Sequence, residues 1–149
     1  MKIAIGTDHG GIILKQSVID ALESLNIEYK DFGTFSEESC DYPDYAQAVA
    51  EAVASGEYDK GIILCGTGIG ISIAANKVKG IRAAVVTNEF TARACAAHND
   101  ANILSLGGRV ITPQQAADLV KVWLATPFEG GRHTNRLNKI KAIENKYMR

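Results

Sequence analysis

Short apolar runs rich in β-branched residues alternate with stretches of helical periodicity along most of the chain. Five strands are predicted where these runs occur, at residues 2–6, 27–32, 60–65, 80–86 and 102–108. Five helices are predicted after them, at residues 12–25, 43–55, 70–78, 89–97 and 113–125. Strands joined by helices form βαβ units with right-handed crossovers. The pattern therefore predicts an α/β fold, a doubly wound five-stranded parallel sheet with helices on both faces.

A sixth helix is predicted at residues 134–147, and its apolar side chains occupy only one narrow stripe. The stripe consists of Leu137, Ile140, Ile143 and Tyr147. Such a stripe needs a surface to cover it. The pattern leaves two arrangements open, because the helix can cap its own domain or lie across a second subunit.

The composition fits a single domain that spans residues 1–149. The chain is 46% hydrophobic and has no linker rich in proline, glycine or serine. Sixteen basic and seventeen acidic side chains give a formal net charge of −1, which provides no general attraction for nucleic acid or an anionic membrane. We therefore expect neither as a partner, and any anion site must be built from local residues.

The targeting and cysteine patterns indicate a cytoplasmic protein. The N-terminus enters a strand pattern without a signal-peptide core. The longest apolar stretch, residues 61–75, is interrupted by glycines and is shorter than the ~18 residues of a membrane span. Cys40, Cys65 and Cys95 are widely spaced and form no CxxC motif, which fits reduced thiols rather than a disulfide framework.

Polar residues and glycines follow several of the predicted strands. Ligands of parallel sheets bind beyond the carboxyl ends of the strands. Those positions hold Asp8 and His9 after the first strand, Tyr42 after the second, Cys65 and a glycine loop after the third, and Gly107, Gly108 and Arg109 after the fifth. Each has an ordinary structural explanation, such as a helix cap or a turn glycine. Their convergence on one edge of the sheet indicates a binding site.

The loop CGTGIGIS, residues 65–72, does not match the common phosphate-binding motifs. It lacks the Gly-Lys-Ser/Thr of a Walker loop, the last glycine of a dinucleotide fingerprint and the arginine of a Cys-x5-Arg phosphatase. It does offer a thiol beside backbone N–H groups at a helix N-terminus, a setting that stabilises negative charge. The pattern indicates a base beside an oxyanion hole. The alternative is that Cys65 is a small buried hydrophobic residue at the end of a strand.

His98 and Asn99 raise a geometrical problem. The helix at 89–97 runs back along the sheet, so both residues are expected at the amino edge, opposite Cys65 of the same chain. His98 is then either a surface or capping residue, or it completes a site on a second subunit. Cys95 and His98 stand three residues apart, but no further ligands have suitable spacing, so no metal site is predicted.

Arg132 and Arg136 stand one helical turn apart near the start of the last helix. Two guanidinium groups on one face suit a phosphate clamp, because arginine binds phosphate oxygens in a bidentate manner. The alternative is a solvated helix start, where each cation opposes the helix dipole by about 0.3–1 kcal/mol. A bound phosphate would reverse that unfavourable interaction.

An ordered set of motifs resembles one enzyme family from residue 1 to the last helix. GTDHGG, DYPDYA, CGTGIGISIAANKVKGIRAA, AHNDANILSLGGR and the closing arginine pair are similar to ribose-5-phosphate isomerase type B, whose family includes galactose-6-phosphate isomerase subunits. The resemblance implies a cofactor-independent aldose-ketose isomerase, an intramolecular oxidoreductase of the pentose phosphate pathway. It would interconvert ribose 5-phosphate and ribulose 5-phosphate through an enediolate.

The resemblance also implies an assembly. We expect a Rossmann-like homodimer with active sites shared between subunits and with the C-terminal helix extending toward the partner subunit. Whether dimers pair into tetramers stays open.

The catalytic roles implied by the resemblance concern proton transfer and ring opening. Cys65, as a thiolate, would move the proton between C2 and C1, and His98 would open the furanose ring by acid/base catalysis. The enediolate would be held by Thr67 and by the amides of Gly66, Gly68, Ile69 and Gly70.

The binding roles implied by the resemblance concern the hydroxyl and phosphate groups. Asp8 and Asn99 would hold sugar hydroxyls, and Tyr42 would line the pocket. The phosphate would be bound by His9, Arg132 and Arg136, together with Arg109. The motifs suggest no role for His133.

Two alternatives remain at this point. One is an isomerase of six-carbon sugar phosphates, such as allose 6-phosphate or galactose 6-phosphate, because one additional carbon leaves the chemistry unchanged. The other is a non-catalytic nucleotide-binding module that uses the same sheet and in which Cys65 is inert.

Overall fold

The structure confirms the doubly wound parallel sheet. In the computed structural model, which describes residues 1–148, the strands are β1 (Lys2–Thr7), β2 (Glu28–Asp31), β3 (Lys60–Cys65), β4 (Ala83–Val85) and β5 (Ile103–Gly107). All neighbouring strands are parallel, and their order across the sheet is β2-β1-β3-β5-β4. The carboxyl ends of β1, β3 and β5 therefore lie side by side.

Helices cover both faces of this sheet. One face carries α1 (Ile12–Ser24), α4 (Glu89–Ala97) and α5 (Pro113–Ala125), and the other carries α2 (Tyr42–Ala54) and α3 (Ile69–Ala75). The last helix is α6 (Arg132–Tyr147). No helix within residues 1–148 combines the length and the apolar character needed to cross a membrane.

Alternate side chains of the central strands enter the two different cores. Ile62 and Leu64 of β3 pack with α1, α4 and α5, whereas Ile63 and Cys65 pack with α2 and α3. This alternation explains why β3 is apolar without interruption, since both of its faces are buried. It also places Cys65 at the end of the central strand, on the side of α2 and α3.

The predicted helix boundaries are confirmed where the sequence supplies a cap. Asn88 caps α4 and Thr112 caps α5, each through a reciprocal capping box with the residue three positions later. Both helices begin and end where the pattern predicts. Local sequence signals were sufficient here because a cap satisfies backbone N–H groups without help from the rest of the fold.

The predicted helix at residues 70–78 and the predicted strand at residues 80–86 extend further than the elements in the structure. The helix α3 ends at Ala75, and β4 covers only part of the predicted range 80–86. The side chain of Asn76 binds the backbone N–H and C=O of Ala83, at 2.8 and 3.0 Å. Asn102 binds backbone groups of the same loop. These side-chain hydrogen bonds replace the backbone pairing that a longer helix or strand would have used.

The helix α6 begins at Arg132, two residues before the predicted start, so that it contains both candidate arginines. It follows Gly130 and Gly131, whose φ angles of 70° and 57° favour glycine. Along α6 only His133 is buried. The apolar stripe reaches solvent in the single chain, with Tyr147 73% exposed.

Candidate active site

Three loops adjoin one another at the carboxyl edge of the sheet, after β1, β3 and β5. The Asp8 N–H donates to the Leu64 carbonyl at 3.1 Å, and the Gly108 N–H donates to the Cys65 carbonyl at 2.8 Å. Glycine permits this approach, because a Cβ atom on Gly11 would lie 2.6 Å from the backbone nitrogen of Cys65. The loops that carry most of the candidate residues therefore form one continuous surface.

Cys65 lies where the apolar core meets these loops. The residue is 4% exposed, and its Sγ accepts a hydrogen bond from the Gly68 N–H at 3.1 Å. Gly68 is the N-cap of α3 and has a φ of 79°, a conformation that glycine adopts without strain. The alternative of a buried hydrophobic residue accounts for the low exposure of Cys65. It does not account for the amide directed at its sulfur.

Cys95 provides a contrast within the same chain. It is buried in the other core, and its Sγ donates to the Ala92 carbonyl at 3.3 Å. Burial raises the pKa of the Cys95 thiol to about 11. Cys95 therefore stays protonated at neutral pH and is not a candidate base. All three cysteines are free thiols.

The glycine loop already uses two of its predicted anion-binding amides. The Gly68 N–H is bound to Cys65, and the Ile69 N–H donates to the Thr67 hydroxyl at 3.1 Å. Thr67 is exposed, so its hydroxyl lies at the surface of the loop. Gly66 and Gly70 belong to the same turn, which opens α3. The loop thus combines one thiol, one hydroxyl and several amides within six residues, 65–70.

Asp8 and His9 are held by backbone contacts at the start of α1. The Asp8 Oδ1 accepts from the N–H groups of Gly10 and Gly11, at 2.8 and 3.1 Å. One carboxylate oxygen of Asp8 therefore performs the structural capping role. The His9 Nδ1 accepts from the Cys40 N–H at 3.2 Å, which places the proton of the neutral ring on Nε2. His9 is thereby prepared as a hydrogen-bond donor.

Tyr42 and Arg109 both lie against the glycine loop. A Cβ atom on Gly70 would lie 2.8 Å from the Tyr42 ring, and one on Gly66 would lie 2.8 Å from the Arg109 Nη1. Tyr42 is the first residue of α2 and is 40% exposed. A phenol and a guanidinium group therefore flank the loop that carries Cys65. We name the residues at this edge the thiol half-site: Asp8, His9, Tyr42, residues 65–70 and Arg109.

His98 and Asn99 lie at the opposite edge of the sheet. Cys65 pairs with Gly107 at the end of β5, whereas His98 follows α4, shortly before β5 begins at Ile103. The length of β5 separates the two positions by roughly 13 Å at 3.3 Å per residue. Cys65 and His98 of one chain therefore do not meet.

His98 belongs to a second cluster with residues near the start of α6. Its ring stacks on His133, with centroids 4.4 Å apart and planes inclined by 13°. Its Nε2 lies 3.5 Å from the Glu129 Oε1. Burial lowers the pKa of His133, and the neighbouring His98 and Arg132 lower it further. We name this cluster, with Asn99 and the two arginines, the histidine half-site.

The candidate arginines join this histidine half-site. Arg132 and Arg136 are exposed and lie one turn apart in α6. The positive charge of each lowers the pKa of His133. Glu129 and His133 were missed by the sequence analysis. Their only sequence signal is proximity to Arg132, and what distinguishes them is contact with the end of α4, which local sequence does not reveal.

His98, Glu129 and His133 also form the one group within residues 1–148 with metal-ligand spacing. Their ligand atoms lie within 4.8 Å of one another. However, the two imidazole rings are stacked nearly parallel. Histidine binds metals through lone pairs in the ring plane, so one ion cannot accept both nitrogens in this arrangement. The geometry favours an imidazole stack over a metal site.

Comparison with known proteins identifies the family. A family model described as Ribose/Galactose Isomerase matches residues 3–140. Ribose-5-phosphate isomerase B of Escherichia coli is 50% identical over 143 residues, with 96% of each chain covered. The solved structure of Clostridium thermocellum ribose-5-phosphate isomerase B has a TM-score of 0.96 and 58% identity, with 99% of each chain covered. The Mycoplasma genitalium enzyme with bound ribulose-5-phosphate has a TM-score of 0.93 and 39% identity, with 97% of each chain covered. The chain belongs to the ribose/galactose isomerase family, which confirms the resemblance carried by its motifs.

Proposed function

We propose that this chain interconverts ribose 5-phosphate and ribulose 5-phosphate, with Cys65 as the base. The observation that carries the proposal is the Gly68 N–H directed at the Cys65 Sγ at 3.1 Å, at the carboxyl edge of the sheet. The similarity of this chain to enzymes named ribose-5-phosphate isomerase B supports ribose 5-phosphate as the substrate. No step requires a metal or an organic cofactor.

The chemistry needs a base and a group of hydrogen-bond donors. A sugar carbon loses its proton slowly unless the negative charge that develops on the enediolate oxygens is stabilised, and each preorganised donor contributes about 2.7–4 kcal/mol. Cys65 removes the proton from C2 and returns it to C1, and between these two transfers the hydroxyl proton moves from O2 to O1 of the enediolate. Thr67 and the amides of Gly66 and Gly70 would hold the enediolate, because the Gly68 and Ile69 amides are already bound to Cys65 and Thr67.

We also propose that the site is completed by a second copy of the chain. Each chain carries a thiol half-site and a histidine half-site at opposite edges of the sheet, so a two-fold dimer in which the two types face each other has two complete sites. Asn99 would then hold sugar hydroxyls opposite Asp8. The exposed apolar stripe of α6 supports an interface at this end of the molecule.

Phosphate binding would combine both half-sites. Arg132 and Arg136 would supply two guanidinium groups from one chain, and His9 would donate from its Nε2–H in the other, with Arg109 nearby. Because Arg132 and Arg136 lie in the first two turns of α6, the helix dipole also favours a bound anion there. The three free thiols fit the proposed cytoplasmic location, where a reducing environment preserves them.

A six-carbon substrate is the second candidate, because the family description includes galactose. The proton transfer is the same for both sugars. The distance between the thiol and the phosphate site across the assembled dimer decides between them. Comparing kcat/KM for ribose 5-phosphate, allose 6-phosphate and galactose 6-phosphate tests this point.

Direct conversion of ribose 5-phosphate to ketose by the purified protein, with a chelator present, tests the proposed activity. Cys65→Ala should lower kcat by at least about 10²–10⁴-fold while substrate affinity stays within a few-fold. Cys95→Ala is the matched control, because Cys95 is a protonated thiol in the other core and its loss should leave kcat unchanged. Full activity of the Cys65→Ala variant would refute the assignment of the base.

A further inference from the structure

We propose that Glu129 is a positioning residue that orients His98 for ring opening, an inference that rests on the proposed function. Glu129 contacts the end of α4 in two ways. Its backbone N–H donates to the Ala97 carbonyl at 3.0 Å, and its Oε1 lies 3.5 Å from the His98 Nε2. The backbone hydrogen bond holds the carboxylate next to the imidazole even though both side chains are about half exposed in the single chain, at 52% and 43%.

His133 restrains the same ring from one face. The stack of the two imidazoles, at 4.4 Å, limits tilting of His98, and the contact with Glu129 selects its rotation within the ring plane. Because burial lowers the pKa of His133, that ring stays neutral at physiological pH and adds no charge beside His98. The Glu129 carboxylate lies on the Nε2 side of the His98 ring, so Nδ1 is the nitrogen left to act on the substrate.

The ring-opening step shows what the carboxylate contributes. The His98 Nδ1 takes the proton of the C1 hydroxyl, a carbonyl forms at C1, and the bond from C1 to the ring oxygen breaks with its electron pair on that oxygen. The ring oxygen then receives the proton from Nδ1, so His98 ends unchanged. His98 is an imidazolium between these two transfers, and the Glu129 carboxylate stabilises that positive charge and keeps Nδ1 in place.

This role separates the two chemical steps of the proposed reaction. Ribulose 5-phosphate cannot close a five-membered ring, because its O5 carries the phosphate. Proton removal from C1 of ribulose 5-phosphate therefore needs Cys65 but not ring opening. Exchange of the C1 hydrogen with deuterium from D2O, followed by NMR, measures the Cys65 step alone.

Glu129→Gln keeps the size of the side chain and removes its charge. We expect kcat/KM from ribose 5-phosphate to fall about fivefold, as for loss of a partly exposed ion pair. Deuterium exchange at C1 of ribulose 5-phosphate should stay within about twofold of the wild-type rate. Glu51→Gln is the matched control, because Glu51 is an exposed residue on α2 whose side chain accepts a hydrogen bond from Gln47. It should change neither rate.

The His98→Ala background identifies the route of the effect. If Glu129 acts through His98, Glu129→Gln should cause no further loss of isomerisation when His98 is absent. The proposal would be overturned if Glu129→Gln lowered the isomerisation rate equally with and without His98. It would also be overturned if this variant lowered isomerisation and deuterium exchange equally, or if it left isomerisation of ribose 5-phosphate unchanged. The proposed function is tested separately by the Cys65→Ala single variant, which should lose deuterium exchange at C1 of ribulose 5-phosphate.

The tautomer of His98 gives a readout that does not depend on the rate-limiting step. In protein labelled with 15N-histidine, the neutral His98 ring should carry its proton on Nε2, and Glu129→Gln should shift it toward a mixture of the two tautomers. A tautomer that is the same in both proteins would overturn the positioning role.

Discussion

Cys65 and His98 of one chain lie at opposite edges of the sheet, so two inactive variants should restore activity when their chains pair. Cys65→Ala removes the proposed base, and His98→Ala removes the imidazole proposed to open the ring. Each substitution disables one half-site and leaves the other intact. In a mixed dimer both substitutions fall in the same site, and the second site contains neither.

The expected recovery follows from this geometry. Random pairing of equal amounts makes heterodimers about half of all dimers, and each has one intact site of two. Mixing should therefore restore about a quarter of the wild-type turnover per chain. A site contained within one chain would give no recovery, because every chain in the mixture carries a defect.

The assay measures ketose formation from ribose 5-phosphate after the two variants have exchanged subunits. Tags of different mass allow native mass spectrometry to count heterodimers in the same sample. The double variant, Cys65→Ala with His98→Ala, mixed with wild-type chains is the control. A shared site predicts that these heterodimers are inactive, leaving about a quarter of full activity, whereas a site within one chain predicts about half.

The shared site would be refuted by one clear result. If heterodimers of the two single variants form and remain inactive, and wild-type chains keep about half of the full activity beside the double variant, each chain holds a complete site. The arrangement in which the histidine half-site of one chain faces the thiol half-site of another would then have to be abandoned.

The remaining predictions concern the histidine half-site. Replacing Arg132 and Arg136 with alanine should raise KM for ribose 5-phosphate about tenfold or more, because a charge-assisted hydrogen bond contributes about 1.5–3 kcal/mol. The same replacements should change the KM for unphosphorylated ribose little, and the control Lys139→Ala should change neither KM. Equal increases in KM for both sugars would indicate a structural role for the two arginines. The neutral form of His133 should contribute stability fully above the unfolded pKa of about 6.5 and lose that contribution as pH falls through its lowered folded pKa. The thermal unfolding midpoints of wild type and His133→Asn should be measured at several pH values. The difference between the two midpoints should become smaller as the pH falls, and a constant difference would contradict the lowered pKa of His133.

Much of the fold followed from local sequence signals. Strands such as β1 and β3 have apolar runs that are buried on both faces, and α4 and α5 have capping residues at their starts. These signals act between neighbours in the chain, so they can be read without tertiary structure. The loop before β4 could not be predicted in this way, because Asn76 binds the backbone of Ala83 only after the chain has folded back.

The candidate site divides along the same line. Its thiol half-site was recognisable, because residues that follow parallel strands share one edge of the sheet. The histidine half-site was only partly recognisable. His98, Arg132 and Arg136 stood out by motif, but Glu129 and His133 acquired significance only through contact with the end of α4.

The sequence by itself determined the order of strands and helices, the edge at which Cys65 lies and the family to which the chain belongs. Tertiary structure decided the order β2-β1-β3-β5-β4, the hydrogen bond from Gly68 to the Cys65 sulfur, and the stack of His98 on His133 beside Glu129. The reason is physical. Periodicity and caps record interactions over a few residues, whereas contacts between residues about 30 positions apart, such as Glu129 and His98, exist only once the packing of whole elements has closed the intervening chain.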